Sequence, residues 1–153
     1  MPFKVTPLLS KTLETLITEQ SGKFGFAKAQ WVYGKEANVY VRATRRALPQ
    51  DQDMVMVPTI DLASIDVGEK YQQKGVFREV LNEVERLAAL HDRFVFLESV
   101  LNEHLVEALP RYGYHLIPNS LPPAFYKSSA ELQKIFNPSV EPKKSVSSRS
   151  SFK

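Results

Sequence analysis

Residues 65 to 77 read Ile65-Asp66-Val67-Gly68-Glu69-Lys70-Tyr71-Gln72-Gln73-Lys74-Gly75-Val76-Phe77, and the architecture turns on them. Their apolar start closes an extended run from Met54 to Val67. Within that run Pro58 has no N–H to give a ladder, so it must lie at an edge, at a bulge or at the true beginning of the strand. Beyond the segment, from Gly75 to Leu90, Phe77, Val80, Leu81, Val84, Leu87 and Ala88 recur at the i, i+3, i+4 spacing of one helix face. Arg78, Glu79, Glu83, Glu85 and Arg86 fill the rest. Phe94 to Leu97 is a short unbroken apolar run, the pattern of a strand covered on both faces. Strand, helix and strand in that order make a parallel crossover unit.

The loop inside this unit also carries chemistry. Gln72 to Phe77 runs into a helix start, where successive backbone N–H groups lack partners within the helix and sum to a partial positive charge. No Asp or Glu is expected in the first turn to take them up, and Lys74 and Arg78 flank it. An anion is the expected occupant, above all a phosphate.

Working outward, Thr6 before Pro7 marks a helix start that Leu9, Leu13, Leu16 and Ile17 continue, giving a helix from about 7 to 20. Phe24 to Tyr33 and Asn38 to Leu48 are strand-like and flank Gly34-Lys35-Glu36-Ala37, a hairpin with a four-residue connection. After the crossover unit, Glu103 to Tyr112 forms a short helix that Pro110 kinks or ends, and His115 to Ile117 pairs with Ala124 to Tyr126. The expected fold class is mixed α/β: helix, three meandering strands, helix, strand, helix, two strands.

Composition narrows the function classes. The chain has 153 residues, 43% apolar and 24% charged, enough for one packed core. No apolar run approaches the roughly 18 to 20 residues of a membrane-spanning helix, and no secretory signal pattern opens the chain, so a soluble, cytoplasmic protein is expected. With no cysteine, and with His91, His104 and His115 at no ligand-type spacing, no metal is expected. Net charge is +3, but residues 137 to 153 hold Lys143, Lys144, Arg149 and Lys153 against Glu141 alone. The remaining residues balance at sixteen charges of each sign, so the total does not call for nucleic acid. The expected organisation is a single domain over residues 1–136 and a flexible basic tail, rich in Ser with Pro138 and Pro142, over 137–153.

From roughly Trp31 to Lys127 the sequence resembles the GNAT superfamily of acyl-CoA-dependent N-acyltransferases. That family reads Q/R-x-x-G-x-G/A between a strand and a helix, and this chain offers Gln72 and Gly75, with Phe77 where the small residue is usual. Asn102, followed eleven residues later by Gly113-Tyr114, resembles the family's second signature after the next strand. The resemblance implies a GNAT-like fold, acetyl-CoA as cosubstrate and direct attack of an amine on its thioester. It implies that Gln72, Gln73, Lys74, Gly75, Val76 and Phe77 hold the diphosphate. The main chain of Ile65, Asp66 and Val67 would pair with the pantetheine arm, and Asn102 would complete the cofactor site.

The family base maps onto Asp61, eleven residues before Gln72, with Asp66 and Glu98 as the other carboxylates near the cleft. The family's acidic tyrosine maps onto Leu109, which has no proton to give, so the substitute is Tyr112 or water. Trp31, Tyr33 and Tyr40 are expected in the core and Tyr114 at its edge, and His104 is open equally to a helix-surface or a catalytic place. Arg42 and Arg46 share one strand face, expected to be a charged edge. A second functional class, a binding or inhibitory module without turnover, would use that face and the tail to hold a protein or nucleic-acid partner. The amine acceptor has no legible motif, and a homodimer is one open expectation.

Overall fold

The structure, a computed structural model, describes residues 3–22, 25–100 and 102–137. The tail from Pro138 onward and the expected strand start at Phe24 lie outside the described residues. The first helix, α1 (Val5–Gln20), begins earlier than its sequence signals suggest because carboxylates from elsewhere accept its leading amides. Glu36 accepts from Lys4 N and Val5 N at 3.0 Å each, and Glu79 accepts from Phe3 N at 2.6 Å and from the Thr6 hydroxyl. Pro7 then falls within the first turn, where its missing N–H costs nothing.

Three antiparallel strands follow: β1 (Lys28–Tyr33), β2 (Ala37–Gln50) and β3 (Asp53–Val67). Tyr33 sits opposite Asn38, so Gly34 to Ala37 form the four-residue connection. Gly34 is required there, since a Cβ would come within 2.5 Å of the Val5 side chain. Helix α2 (Val76–Leu90) then crosses over to β4 (Phe94–Leu97), which runs parallel to β3 from Thr59↔Phe94 to Leu62↔Leu97. Pro58 stands one residue before that pairing begins, so the N–H it lacks removes nothing from the β3–β4 ladder. The chain continues through α3 (Glu103–Ala108), a tight turn over Leu109–Tyr112 at Pro110, β5 (His115–Leu116) and β6 (Phe125–Lys127). A closing helix, α4 (Ser129–Phe136), extends the expected element order; its signal is the Ser128 to Glu131 spacing, which forms a reciprocal capping box.

The six strands are ordered β1-β2-β3-β4-β6-β5 in one mixed sheet. The main core fills one face, where Val39, Val41, Ile60 and Leu62 meet Leu9 and Leu13 of α1 and Val80, Leu81 and Val84 of α2. A smaller cluster of Leu48, Val57, Phe94, Phe96 and Ala124 covers part of the other face. Trp31 and Tyr33, expected in the core, are 39% and 70% exposed, because strand alternation gives the core face of β1 to Val32. Trp31 stacks on Tyr33 and packs against Tyr40 outside it. Tyr114 is buried and donates to Glu85 Oε2 at 2.6 Å, and burial together with that carboxylate's charge pushes its hydroxyl well above the usual phenol range.

Candidate active site

Past Leu62 and Leu97 the two parallel strands part company. Glu98 N still reaches Leu62 O at 3.4 Å, and no strand pairing follows. On β3 the register against β2 steps from Tyr40↔Ser64 to Val41↔Leu62, leaving Ala63 as an extra residue. Such a bulge bends its strand and strengthens the twist. On the β4 side Ser99 adopts φ 48°, in the left-handed region that non-glycine residues rarely occupy. The result is a cleft of about 410 Å3 between Ala63, Ser64 and Ile65 on one wall and Glu98, Ser99 and Val100 on the other. On the side away from β2, β3 from Ala63 to Asp66 has no strand beside it among the described residues, so the backbone groups on that side are open to an extended ligand.

Phe77, on the first turn of α2, also lines this cleft. Gly75 precedes the helix at φ 87°, and no side chain caps it. The amides from Gln73 to Arg78 donate to no described residue, and the first bond of the helix is Glu79 N to Gly75 O at 3.0 Å. Contrary to the sequence expectation, an acid does lie in this turn, Glu79. Its carboxylate is turned onto Phe3 and Thr6, where it caps α1, so the α2 donors stay bare. The Gln72 side chain donates to Val67 O at 3.2 Å and ties the loop to the end of β3, while Gln73 and Lys74 are exposed. Arg78 lies over the Tyr112 ring at 4.1 Å.

The geometry does not fit Asp61 as a base. Its side chain has no accessible surface, and its oxygens already accept four hydrogen bonds. Arg46 supplies two of them to Oδ2, from Nε at 2.9 Å and Nη2 at 2.7 Å; Arg42 Nη1 adds one at 3.3 Å, and the Thr59 hydroxyl reaches Oδ1 at 2.7 Å. Neither amine nor water can approach to exchange a proton. Tyr112 does not fit the role of acid either, because it packs beneath Arg78 and is not among the residues lining the cleft. Leu109, at the position of the family tyrosine, does line it.

Glu98 is the carboxylate that faces the cleft. Its Oε1 accepts from Arg42 Nη1 at 3.0 Å and from Arg46 Nη2 at 3.3 Å, while Oε2 has no hydrogen-bond partner among the described residues. Its side chain is 36% exposed. The same pairings revise the reading of the arginine face. At Arg42 β2 lies between β1 and β3, whereas at Arg46, beyond the reach of β1, it pairs with β3 alone among the described residues; both guanidiniums are committed to Asp61 and Glu98. Burial pulls the Arg42 guanidinium down, yet the Glu98 hydrogen bond and the Asp61 and Glu98 charges raise it above its ordinary value.

Of the other expected site residues, Ile65 lines the cleft, Val67 packs partly into the core, and Asp66 is exposed opposite Asn38. Val76 is buried at the start of α2. Asn102 borders the cleft, but its Oδ1 is occupied as the cap of α3, accepting from His104 N at 2.9 Å and Leu105 N at 3.2 Å. His104 is exposed on that helix. Among the described residues no group of His, Asp and Glu is placed to hold a metal ion, and no helix is long and apolar enough to cross a membrane.

No family model matches the sequence, and no curated protein matches it. Solved structures do. A KacTA–DNA complex superposes with a TM-score of 0.54 at 13% identity, over 84% of this chain and 86% of that one. AtaT complexed with acetyl-methionyl-tRNAfMet gives 0.52 at 15%, over 83% and 85%. A tyrosine-to-phenylalanine mutant of the AtaT toxin gives 0.51 at 16% over 67% of this chain, which spans 63% of that structure's length. At such identities the likeness concerns architecture. With its sheet order, its splayed β3–β4 pair and the uncapped helix beside them, the chain has the GNAT fold.

Proposed function

We propose that this protein transfers an acetyl group from acetyl-CoA to an amine. One observation carries the reading: the cleft opened by the diverging strands lies beside a helix start whose backbone donors are bare. The amides of Gln73 to Arg78 would hold the diphosphate, with Lys74 adding charge, and the free side of β3 from Ala63 to Asp66 would pair with the pantetheine arm. These donors fit the group, since nothing among the described residues competes for them and no atom lies within 4 Å of the place a Gly75 Cβ would take.

When bound, acetyl-CoA supplies a thioester whose carbonyl carbon the amine attacks, forming the C–N bond as the C–S bond breaks. Glu98 takes the proton the amine loses, directly or through one water, on its free Oε2. Arg42 and Arg46 fix the carboxylate by its other oxygen, and Asp61 fixes the two arginines. Leu109 presents an apolar wall where an acid would otherwise stand, so the departing thiolate takes its proton from water. AtaT has been captured with an acetylated aminoacyl-tRNA; for this chain the acceptor class stays at the level of an amine.

The test is ligand-linked stability followed by turnover. Acetyl-CoA should raise Tm, because a ligand that binds only the native state stabilises it by mass action. Labelled acetyl-CoA incubated with the protein and a lysate should leave label on an acceptor identified by mass spectrometry. An unchanged Tm at millimolar acetyl-CoA overturns the reading.

A further inference from the structure

The two ends of the β3–β4 pair are furnished differently. Their C-terminal ends open into the acyl-transfer cleft. Around their N-terminal ends lies a second cavity of about 380 Å3, walled by Ile17, Gln20, Pro58 and His91 and by the guanidinium-bearing Arg45 and Arg93.

Arg93 is 3% exposed, yet it faces no carboxylate. Its Nη1 donates to Thr59 O at 3.0 Å and Thr44 O at 3.4 Å, and its Nη2 donates to Gln20 Oε1 and to Ser21 Oγ at 3.0 Å, all neutral acceptors. Its Nε–H has no acceptor among the described residues. The guanidinium of Arg45, exposed on the cavity wall, makes no hydrogen bond or ion pair with them. Of the seventeen acidic residues in the sequence, only Glu141 lies outside the described ones, and none of the others pairs with either arginine. Glu14, on the same helix as Ile17 and Gln20, is taken by His91 at 2.6 Å. Burial first, and then the charge of Arg45, pull the Arg93 guanidinium below its ordinary value, against a smaller opposing effect of Asp61.

Two positive charges thus border one cavity. The ends of α1 and α2 approach it too, but a helix C-terminus carries only roughly half a negative charge, so two of them leave about one positive charge uncompensated. A buried cation without a counter-ion is strongly disfavoured, and arginine forks match tetrahedral oxyanions.

We propose that this cavity binds a phosphate group, free or carried on a small molecule, with Arg93 and Arg45 as its counter-ions. The six unused N–H donors, one on Arg93 and five on Arg45, supply its hydrogen bonds. Ile17 and Pro58 form an apolar wall for whatever the phosphate is attached to. The site does not depend on the acyl-transfer reading, since it shares no residue with the cleft.

The experiment titrates the full chain with inorganic phosphate, and separately with ribose 5-phosphate, at ionic strength held constant with chloride, and reads Tm. A saturable rise with both probes supports free phosphate as sufficient; a rise with ribose 5-phosphate alone supports a carried one. Arg45→Gln, at an exposed position with no partner for the guanidinium, should keep the fold and weaken the response by about tenfold or more. Lys74→Glu, at the other end of the sheet, removes the contribution of any phosphate held at the α2 start and should still show a saturable rise. Arg93→Lys keeps the charge but loses the fork, and should also weaken binding; should it fail to fold, the Arg45→Gln titration decides alone. No saturable rise with either probe, an undiminished response in Arg45→Gln, or loss of the response in Lys74→Glu overturns the proposal.

Discussion

Arg46 grips Asp61 through two donors on one oxygen, Nε at 2.9 Å and Nη2 at 2.7 Å from Oδ2, and the aspartate has no solvent-accessible side-chain surface. That pairing makes Asp61 an anchor. Asp61→Asn leaves two guanidiniums partly buried with one counter-charge fewer, and breaking such a buried pair costs about 3–5 kcal/mol. A lowered midpoint of urea unfolding at unchanged m-value is the expected result. A variant as stable as the parent would return Asp61 to the list of free carboxylates.

Glu98 shares those arginines through Oε1, lines the cleft, and has no partner for Oε2 among the described residues. Under the proposed mechanism Glu98→Gln removes the proton acceptor and preserves shape and most hydrogen bonds. Turnover should fall by about 100-fold to 10,000-fold, the usual contribution of a general base, while acetyl-CoA affinity stays within a factor of two or so. The parent's rate should also rise with pH across the range in which the amine deprotonates. An unaltered kcat in Glu98→Gln removes this residue from the reaction.

Lys74 is exposed beside the bare amides of α2. Lys74→Glu places a negative charge where the diphosphate is expected, so acetyl-CoA should bind about tenfold more weakly, equivalent to ~1.4 kcal/mol. The loss should shrink as salt is raised, because exposed charges are screened over about 10 Å at 0.1 M. Equal affinity for parent and variant at low salt would place the cosubstrate elsewhere.

Glu36 carries a pH signature. Burial pushes its carboxyl up, but the amides of Lys4, Val5 and Glu36 itself outweigh burial and hold it below its ordinary value. A carboxyl depressed in the folded state contributes stability that is fully present above its unfolded value, about 4.3, and disappears as pH falls through the folded value. Tm measured from pH 7 down to pH 3 should therefore drop more steeply for the parent than for Glu36→Gln, whose Tm at neutral pH should already be lower. Parallel curves would show that the α1 cap contributes no acid sensitivity.

Much of the architecture is legible because it rests on local rules. The α2 stripe, the buried run of β4 and the helix-breaking Pro110 each announce their element within a few residues. α4 is announced by Ser128 and Glu131 alone, since its apolar pattern is too short to stand out. The site is less legible. Ile65, Phe77 and Asn102 do border the cleft, and Gln72 to Gly75 do form the open turn, because backbone conformation and strand-to-helix order place them. Family spacing points to Asp61 and Tyr112, whose surroundings do not suit the expected roles, since spacing locates a residue along the chain without saying which other side chains reach it.

The sequence alone determined the order of elements as far as β6 and the place of a helix start after a strand, since periodicity, proline and glycine act over a few residues. Tertiary structure decided which carboxylate is free. Asp61 and Glu98 compete for the same two arginines across three strands, and only the register of β2 on β3 and the divergence of β4 bury one and expose the other. It also decided that Glu79 would cap α1 and leave α2 open, an outcome set by how two helices pack and invisible to any window of sequence.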